Sequence, residues 1–192
     1  AVAKLSAPLA KPGEFSVVLA ASAGGTFVHE AIGHSLEADH VQEGTSPAFA
    51  DKVGRRVANP KLTIVDDPTI PFARGSYPFD DEGCLAEPVV LVSRGVLKGY
   101  LHDRVSGLRA GAAPNGHGRR QSYRSRPIPR MSNIYIAPGP DDPALMLAEL
   151  GRGLLVTRMG GGEVNTATGE FVFGVDEGWW VNVKRVWRIW RR

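Results

Sequence analysis

Only one stretch of this sequence carries a convincing helical pattern, and it runs from Thr26 to Asp39. Most of the remainder consists of short apolar segments, which predict strands, separated by turns rich in glycine and proline. The predicted strands are residues 14–22, which should be buried, 62–65, 86–93, 96–102, 132–137 and most of 154–187. Strands 86–93 and 96–102 should form a hairpin joined at Arg94-Gly95, and residues 109–130 an extended loop. A short helix is predicted at 140–151, entered through Asp141-Asp142-Pro143 and ended at Gly151. Strands before and after one long helix predict an α+β fold with a large, mostly antiparallel mixed sheet and otherwise short helices.

The size and composition of the chain indicate a globular protein without a membrane span. A chain of 192 residues with 43% hydrophobic and 22% charged residues has the size and balance of one globular domain. It contains no run of 18 apolar residues, so no membrane span is predicted. Cys84 is the only cysteine, which excludes an internal disulfide and favours a reducing, cytoplasmic location.

The predicted helix carries the strongest chemical signal, the pair His29-Glu30 followed by His34. Two neutral imidazoles can hold a zinc ion, and a carboxylate beside that ion can accept a proton from water. On a regular α-helix, residues five apart point roughly 140° away from each other, so the two histidines could not readily share one ion. We therefore predict a π-bulge or kink between His29 and His34, eased by Gly33.

A catalytic zinc ion usually has three protein ligands, so two histidines leave the predicted site incomplete. If the bulge forms, Glu37 would lie near the histidine face, either as a third ligand or as a partner of a ligand. His40 is a second candidate, because extended zinc motifs contain a third histidine downstream. Further candidates are Asp39, Cys84, His102 and His117.

Two other groups of residues have more than one interpretation. Asp80, Asp81 and Glu82 could ligate a metal, although a turn held by local hydrogen bonds is favoured. The segment between Asp103 and Asp141 has seven arginines and no acidic residue, so it could attract a peptide carboxylate, nucleic acid or anionic lipid, or form a solvated face.

Substrate contacts are predicted at two places. Arg119, Arg120 and Arg130 would either bind a peptide or brace their own loop. Gly161 and Gly162, within a run of three glycines, would either let a substrate backbone approach closely or form a turn.

Six separated motifs are distributed along the chain: FVHEAIGHSLEAD (27–39), DDEG (80–83), GVLKGYLHD (95–103), APNGHGRRQSY (113–123), PIPRMSNIYI (127–136) and GGGEVNTATGEFVF (160–173). In this order they resemble the TldD/PmbA family, once called modulators of DNA gyrase. The likeness extends over nearly the whole chain. The histidine motif is similar to that of TldD-type subunits, whereas the partner subunit, TldE or PmbA, lacks it.

The resemblance implies a cytoplasmic zinc metallopeptidase that hydrolyses unfolded peptides and works with a TldE/PmbA-like partner subunit or as a homodimer. Such enzymes trim leader peptides and degrade small unstable proteins. By position, His29 and His34 would ligate Zn²⁺ and Glu30 would act as the general base. No membrane association is implied, and nucleic-acid binding is disfavoured because the chain has no recognised motif for it.

The chain departs from the family in two respects. Family members have an additional N-terminal domain, and they take a third zinc ligand from a cysteine near their C-terminus, whereas Cys84 is not at that position. We therefore predict that residues 1–192 form a single domain, the C-terminal catalytic domain of a TldD-like protein without its N-terminal domain and extreme C-terminus. The alternative prediction is a non-catalytic, metal-free binding or scaffold subunit of the same fold.

Overall fold

The structure, a computed structural model, describes residues 7, 8, 10 and 12–182 in full and the backbone of residues 185–189. The chain divides into two compact units. The first contains the described residues up to 27, together with 140–163 and those from 171 onward. The second contains residues 28–139 and 164–170. All residues of the predicted metal site lie in the second unit.

Short helices and several sheets confirm the predicted α+β class. The strands are β1 (Ser16–Leu19), β2 (Ile64–Asp66), β3 (Val89–Ser93), β4 (Val96–Leu97), β5 (Gly118–Arg119), β6 (Ile128–Pro129), β7 (Ile134–Ile136), β8 (Arg152–Asn165), β9 (Glu170–Asn182) and β10 (Arg185–Ile189). The α-helices are α1 (Ala21–Val28), α2 (Ala38–Gln42), α3 (Arg104–Ala110) and α4 (Pro143–Glu149). A π-helical turn (His29–Gly33) and a 3₁₀ turn (His34–Leu36) connect α1 to α2.

The first unit contains a four-stranded sheet with the order β1-β8-β9-β10, in which β1 is parallel to β8 and β10 is antiparallel to β9. The predicted buried strand at 14–22 is shorter and more exposed than expected, because β1 forms an edge of this sheet and Ser16 and Val17 are exposed. Helix α4 confirms the short helix predicted at 140–151: Asp142 caps its start, and Gly151 follows it at φ 61°.

The second unit contains a fully antiparallel sheet with the order β4-β3-β2-β7. The hairpin predicted around Arg94-Gly95 is confirmed as β3 and β4, although β4 is short. Both turn residues have positive φ, 45° and 78°, as a two-residue hairpin turn requires. Glycine is required at position 95 for a second reason, because a Cβ there would overlap the carbonyl oxygen of Ala58.

The core of the second unit lies between this sheet and the helical segment 28–36. The segment contributes Val28 and Leu36, which are almost completely buried. They pack with Ile64, Leu91, Val92, Leu97, Leu101, Met131 and Ile134. Because burial of this apolar surface fixes both ends of the segment, it also fixes the π turn between them.

The predictions of one long helix and one large sheet are wrong in detail. The one long helix is a series of shorter segments, because Glu37 is extended (φ −73°, ψ 123°) and interrupts it. The backbone around Glu37 pairs with Leu101 instead: Ala38 donates its N–H to the Leu101 carbonyl at 3.0 Å, and Leu101 donates to Leu36 at 3.0 Å. Likewise, the described residues form two four-stranded sheets and a separate pair, β5 and β6, in place of the one large sheet that was predicted.

Helix α3 was not predicted. It begins with a capping box in which the Asp103 carboxylate accepts from the Ser106 N–H, and the Ser106 hydroxyl accepts from the Asp103 N–H. After Gly111, the region predicted to be an extended loop contains the β5–β6 pair and no helix among the described residues. Within the part of the chain that the structure describes, no helix is long and apolar enough to cross a membrane.

Candidate metal centre

The π turn brings His29 and His34 to the same side of the helical segment. It is closed by the backbone N–H of His34, which donates to the carbonyl of His29, five residues earlier. The centroids of the two imidazole rings lie 4.7 Å apart, with their planes at 85°. The predicted distortion is therefore confirmed, because the extra residue of the π turn cancels the offset that a regular helix would impose.

Gly33, the last residue of the π turn, lies against the core of the second unit. A Cβ at this position would overlap the sulfur atom of Met131 and come within 3.2 Å of Cδ1 of Ile134. Both neighbours are buried, so neither can move without repacking the core. Close approach of the helix backbone to β7 therefore requires glycine here.

Glu30 completes a set of three donors on this surface. The ligand atoms of His29, Glu30 and His34 all lie within 4.8 Å of one another, and a Glu30 oxygen is 3.8 Å from Nε2 of His34. The side chains of His34 and Glu30 are 30% and 19% exposed, so the set is open to solvent. Two imidazole nitrogens and a carboxylate at this separation match the donor types and the reach of a zinc ion.

Behind His34, the carboxylate of Glu37 is completely buried. Its Oε2 atom lies 3.2 Å from Nδ1 of His34 and 3.5 Å from Nε2 of His40, and it accepts a hydrogen bond of 3.0 Å from Nη1 of Arg130. Arg130 also lies 3.6 Å from Asp39. The other oxygen of Glu37, Oε1, is buried with no hydrogen-bond partner among the described residues.

These neighbours shift several pKa values. Burial lowers the pKa of His29 below its ordinary value of 6.5, and the nearby His34 acts in the same direction, so the ring is kept neutral and able to bind a metal. Burial alone would raise the pKa of Glu37, but hydrogen bonds from His34 and His40 and the charge of Arg130 outweigh it, and the pKa is lowered. The hydrogen bond to Glu37 raises the pKa of His40.

Glu37, Asp39 and His40 form a second group with metal-ligating atoms close together. The guanidinium of Arg130 already supplies a positive charge beside both carboxylates. A cation bound among them would be repelled by this guanidinium, so this group is less suited to a metal than His29, Glu30 and His34. The roles predicted for Glu37 and His40 as a third ligand remain untested.

A third group, Asp80, Glu82 and Cys84, is held together by hydrogen bonds to the backbone. The carboxylate of Asp80 accepts from the N–H groups of Glu82, Cys84 and Gly118 at 2.8–2.9 Å. Its acceptor sites therefore serve the turn, which is the interpretation that the sequence favoured. Cys84 itself is half-buried.

Two histidines considered as ligands lie elsewhere in the second unit. His117 is fully buried, with Nδ1 2.8 Å from the carbonyl of Asn115 and Nε2 3.1 Å from Asp66. His102 is buried, with Nδ1 3.2 Å from the Ser106 hydroxyl. Both imidazoles thus have partners within the fold.

The arginines predicted to contact substrate all have partners within the chain. Arg119 donates to the carbonyl of Met131 and lies over the ring of Tyr77, 5.1 Å from its centroid. Arg120 is bound to Asp81 through both its backbone N–H and its guanidinium. These contacts brace the loop, and a role in substrate binding stays a prediction.

The glycines predicted to contact substrate lie inside β8, so the alternative that they form a turn is wrong. A Cβ on Gly162 would overlap the ring of Phe173 on the neighbouring strand, whereas one on Gly161 would meet nothing within 4 Å. Gly162 therefore has a packing role within the sheet. Their substrate role is likewise untested.

The link between Glu37 and Arg130 was not predicted from the sequence. Arg130 lies 93 residues after Glu37, and no local pattern joins the two. The sequence indicated only the contact of Glu37 with His34. Glu37 follows His34 by three residues, a spacing that favours contact between two side chains on a helix.

Comparison with known proteins identifies the family. A model of the PmbA/TldA metallopeptidase C-terminal domain matches residues 12–186. The chain belongs to the PmbA/TldD family. Relatives in this family include a metalloprotease TldD homolog of Haemophilus influenzae, 38% identical over 186 residues, which are 97% of this chain and 38% of the relative. A metalloprotease of Archaeoglobus fulgidus is 44% identical over 177 residues, 92% of this chain and 41% of the relative.

Solved structures agree with this assignment. A Thermotoga maritima protein described as a modulator of a DNA gyrase superposes with a TM-score of 0.82 at 27% identity, covering 98% of this chain and 42% of that protein. TldE from Thermococcus kodakarensis shares the fold, with a TM-score of 0.73 at 22% identity over 89% of this chain and 41% of its own. The chain thus spans about two fifths of the length of the PmbA/TldD proteins that it matches.

Proposed function

We propose that this chain is the metal-binding catalytic part of a zinc metallopeptidase that hydrolyses unfolded peptides. The observation that carries the proposal is the π turn, which gathers donor atoms of His29, Glu30 and His34 within 4.8 Å at a partly exposed surface. Zinc peptidases use these residue types as ligands and general base. The relatives from Haemophilus influenzae and Archaeoglobus fulgidus are named metalloproteases, which supports the same activity class.

Each residue of the set has a distinct role. His29 and His34 would hold the ion through ring nitrogens, and the lowered pKa of His29 favours the neutral imidazole that binding needs. When bound, zinc supplies a Lewis acid that polarises a peptide carbonyl and lowers the pKa of water. Glu30, which is partly exposed, would accept a proton from water and pass it to the leaving amine.

The properties of the whole protein are part of the proposal, because this chain spans about two fifths of its relatives. They are a cytoplasmic location, a TldE/PmbA-like partner subunit or a homodimer, and leader-peptide trimming or degradation of small proteins. The shared fold with TldE supports a partner of similar architecture.

Cleavage of an unstructured peptide by the zinc-loaded chain tests the proposal. We compare the wild type with Glu30→Gln, which keeps the shape of the side chain but not its basicity. The variant should retain zinc and lose cleavage by about 10²-fold or more, the usual contribution of a general base. The exposed Glu43→Gln serves as the control and should cleave like the wild type.

Two outcomes would contradict the proposal. Turnover of Glu30→Gln equal to that of the wild type would remove Glu30 as the base. A wild-type chain that holds no zinc and cleaves nothing would favour the alternative, a metal-free binding or scaffold subunit of the same fold.

A further inference from the structure

The two nitrogens of the His34 ring face two different carboxylates. Nδ1 lies 3.2 Å from Oε2 of Glu37, and Nε2 lies 3.8 Å from Oε2 of Glu30. An ionised carboxylate accepts hydrogen bonds and donates none, so a neutral His34 bonded to Glu37 must carry its proton on Nδ1. Nε2 is then unprotonated, and it is the nitrogen of the ring that lies beside Glu30, another member of the candidate metal set.

The charge of Glu37 is supported by Arg130. A fully buried carboxylate is costly unless it is paired and hydrogen-bonded, and Nη1 of Arg130 donates to Oε2 at 3.0 Å. The same Nη1 atom donates to the carbonyl of Pro129 at 2.7 Å and lies 3.6 Å from Asp39. The guanidinium is therefore held in place from several directions.

The backbone of Glu37 is also fixed. Hydrogen bonds of 3.0 Å on either side of it, from Ala38 to Leu101 and from Leu101 to Leu36, hold this residue in its extended conformation. Leu36 and Leu101 belong to the core of the second unit. The carboxylate thus projects from a rigid point of the fold toward the imidazole.

We propose that Arg130 and Glu37 form a positioning pair that holds His34 as the Nδ1–H tautomer and thereby strengthens metal binding at Nε2. The inference rests on the proposed function in one respect, the role of His34 as a ligand. It goes beyond that function by assigning Arg130 to the support of the metal site rather than to the substrate. Hydrogen-bonded carboxylates behind a histidine ligand fix its orientation and raise its basicity.

Direct ligation by Glu37 is the competing arrangement. Its Oε1 atom has no hydrogen-bond partner among the described residues and is the oxygen through which it could reach a metal. A cation at Oε1 would lie next to the guanidinium of Arg130, which already neutralises this carboxylate. The geometry therefore favours a supporting role, and the two arrangements differ in the number of protein ligands.

The tautomer is measured on the metal-free 192-residue chain by long-range ¹H–¹⁵N correlation NMR at a pH where His34 is neutral. The wild type should show the Nδ1–H form. Glu37→Ala, which removes the acceptor, should shift His34 toward the Nε2–H form. Glu37→Gln should retain much of the wild-type signal, because its amide oxygen still accepts a hydrogen bond.

Zinc affinity, measured by competition with a chelator, provides the second readout. Glu37→Ala should weaken binding about 10- to 100-fold, the usual effect of losing such a partner. Arg130→Gln should weaken it less, and Arg130→Lys should restore most of the loss. Arg124→Gln is the matched control: this exposed arginine binds the Tyr123 hydroxyl, and its replacement should leave the affinity unchanged.

Three results would overturn the inference: an Nε2–H tautomer in the wild type, unchanged zinc affinity in both Glu37→Ala and Arg130→Gln, or loss of one zinc ligand in Glu37→Gln by X-ray absorption. Glu37 is fully buried, and its replacement by alanine could prevent folding. Arg130 is 36% exposed, so the Arg130 variants are expected to fold and then decide the test. Failure of the proposed function is distinguishable, because zinc binding would then be indifferent to His29→Ala while the tautomer of the metal-free chain still decides the role of Glu37.

Discussion

The ring centroids of His29 and His34 lie 4.7 Å apart, although the two residues are five positions apart in the sequence. A regular α-helix would turn these side chains away from each other, and the π turn from His29 to Gly33 brings them together. π turns are frequent at functional sites because they move side chains without breaking the helix. The proposed metal chemistry depends on this local change in helical pitch.

Substitution of Gly33 tests how the π turn is maintained. In Gly33→Ala, the new methyl group would overlap the sulfur of buried Met131. We expect a loss of about 1–3 kcal/mol in the free energy of unfolding, typical of overpacking, together with weaker zinc binding as the turn shifts. Urea denaturation and chelator competition measure the two effects.

Gly25→Ala is the matched control, because Gly25 lies in α1 and its added methyl group would meet nothing within 4 Å. Alanine is the better helix former, so this variant should be as stable as the wild type or more stable by up to about 1 kcal/mol. If Gly33→Ala were as stable as Gly25→Ala and bound zinc with the same affinity, Gly33 would not shape the site.

Replacement of Asp80 distinguishes a structural role of this residue from a role as a metal ligand. Asp80→Ala would leave the N–H groups of Glu82, Cys84 and Gly118 without their acceptor. We expect a loss of at least about 2 kcal/mol of stability, since each buried unpaired donor costs about 1–3 kcal/mol. Zinc stoichiometry should not change. A variant of wild-type stability that had lost zinc would identify Asp80 as a ligand instead.

Buried His102 makes the stability of the chain dependent on pH. Burial lowers the pKa of His102 below its ordinary value of 6.5, so the folded chain favours the neutral ring. As the pH falls below 6.5, the unfolded chain binds a proton at this residue before the folded chain does, and stability is lost until the folded pKa is reached. The contribution is therefore complete above pH 6.5 and declines in acid.

His102→Gln removes this titration. Urea denaturation at a series of pH values should show a smaller loss of stability between neutral and mildly acidic pH in the variant than in the wild type. Identical pH dependence in the two chains would mean that His102 titrates alike in the folded and unfolded states.

Features of the fold with local signals were predictable from the sequence. The Arg94-Gly95 turn and the start of α4 at Asp142-Pro143 depend on residues next to each other in the chain, and both were found as expected. Helix α3 had a local signal too, Asp103 followed three residues later by Ser106, but the arginine- and glycine-rich sequence around it favoured a loop. The interruption at Glu37 had none, because it arises from pairing with the distant Leu101.

In the candidate site, too, the local features were predictable from the sequence and the tertiary contacts were not. The spacing of His29 and His34 was enough to predict a distorted helix, since helical geometry allows few ways for residues five apart to meet. The support of His34 by Glu37 and Arg130 depends on the position of β6 and the residues after it beside the helical segment. Sequence spacing carries no information on such a tertiary contact.

The zinc content of the purified chain, measured by mass spectrometry of the metal after removal of loosely bound ions, tests the central claim most directly. The wild type and His102→Gln should each retain one zinc ion per chain, whereas His29→Ala and His34→Ala should retain almost none. Stoichiometric zinc in both site variants, or no zinc in the wild type, would contradict a metal centre built on the π turn.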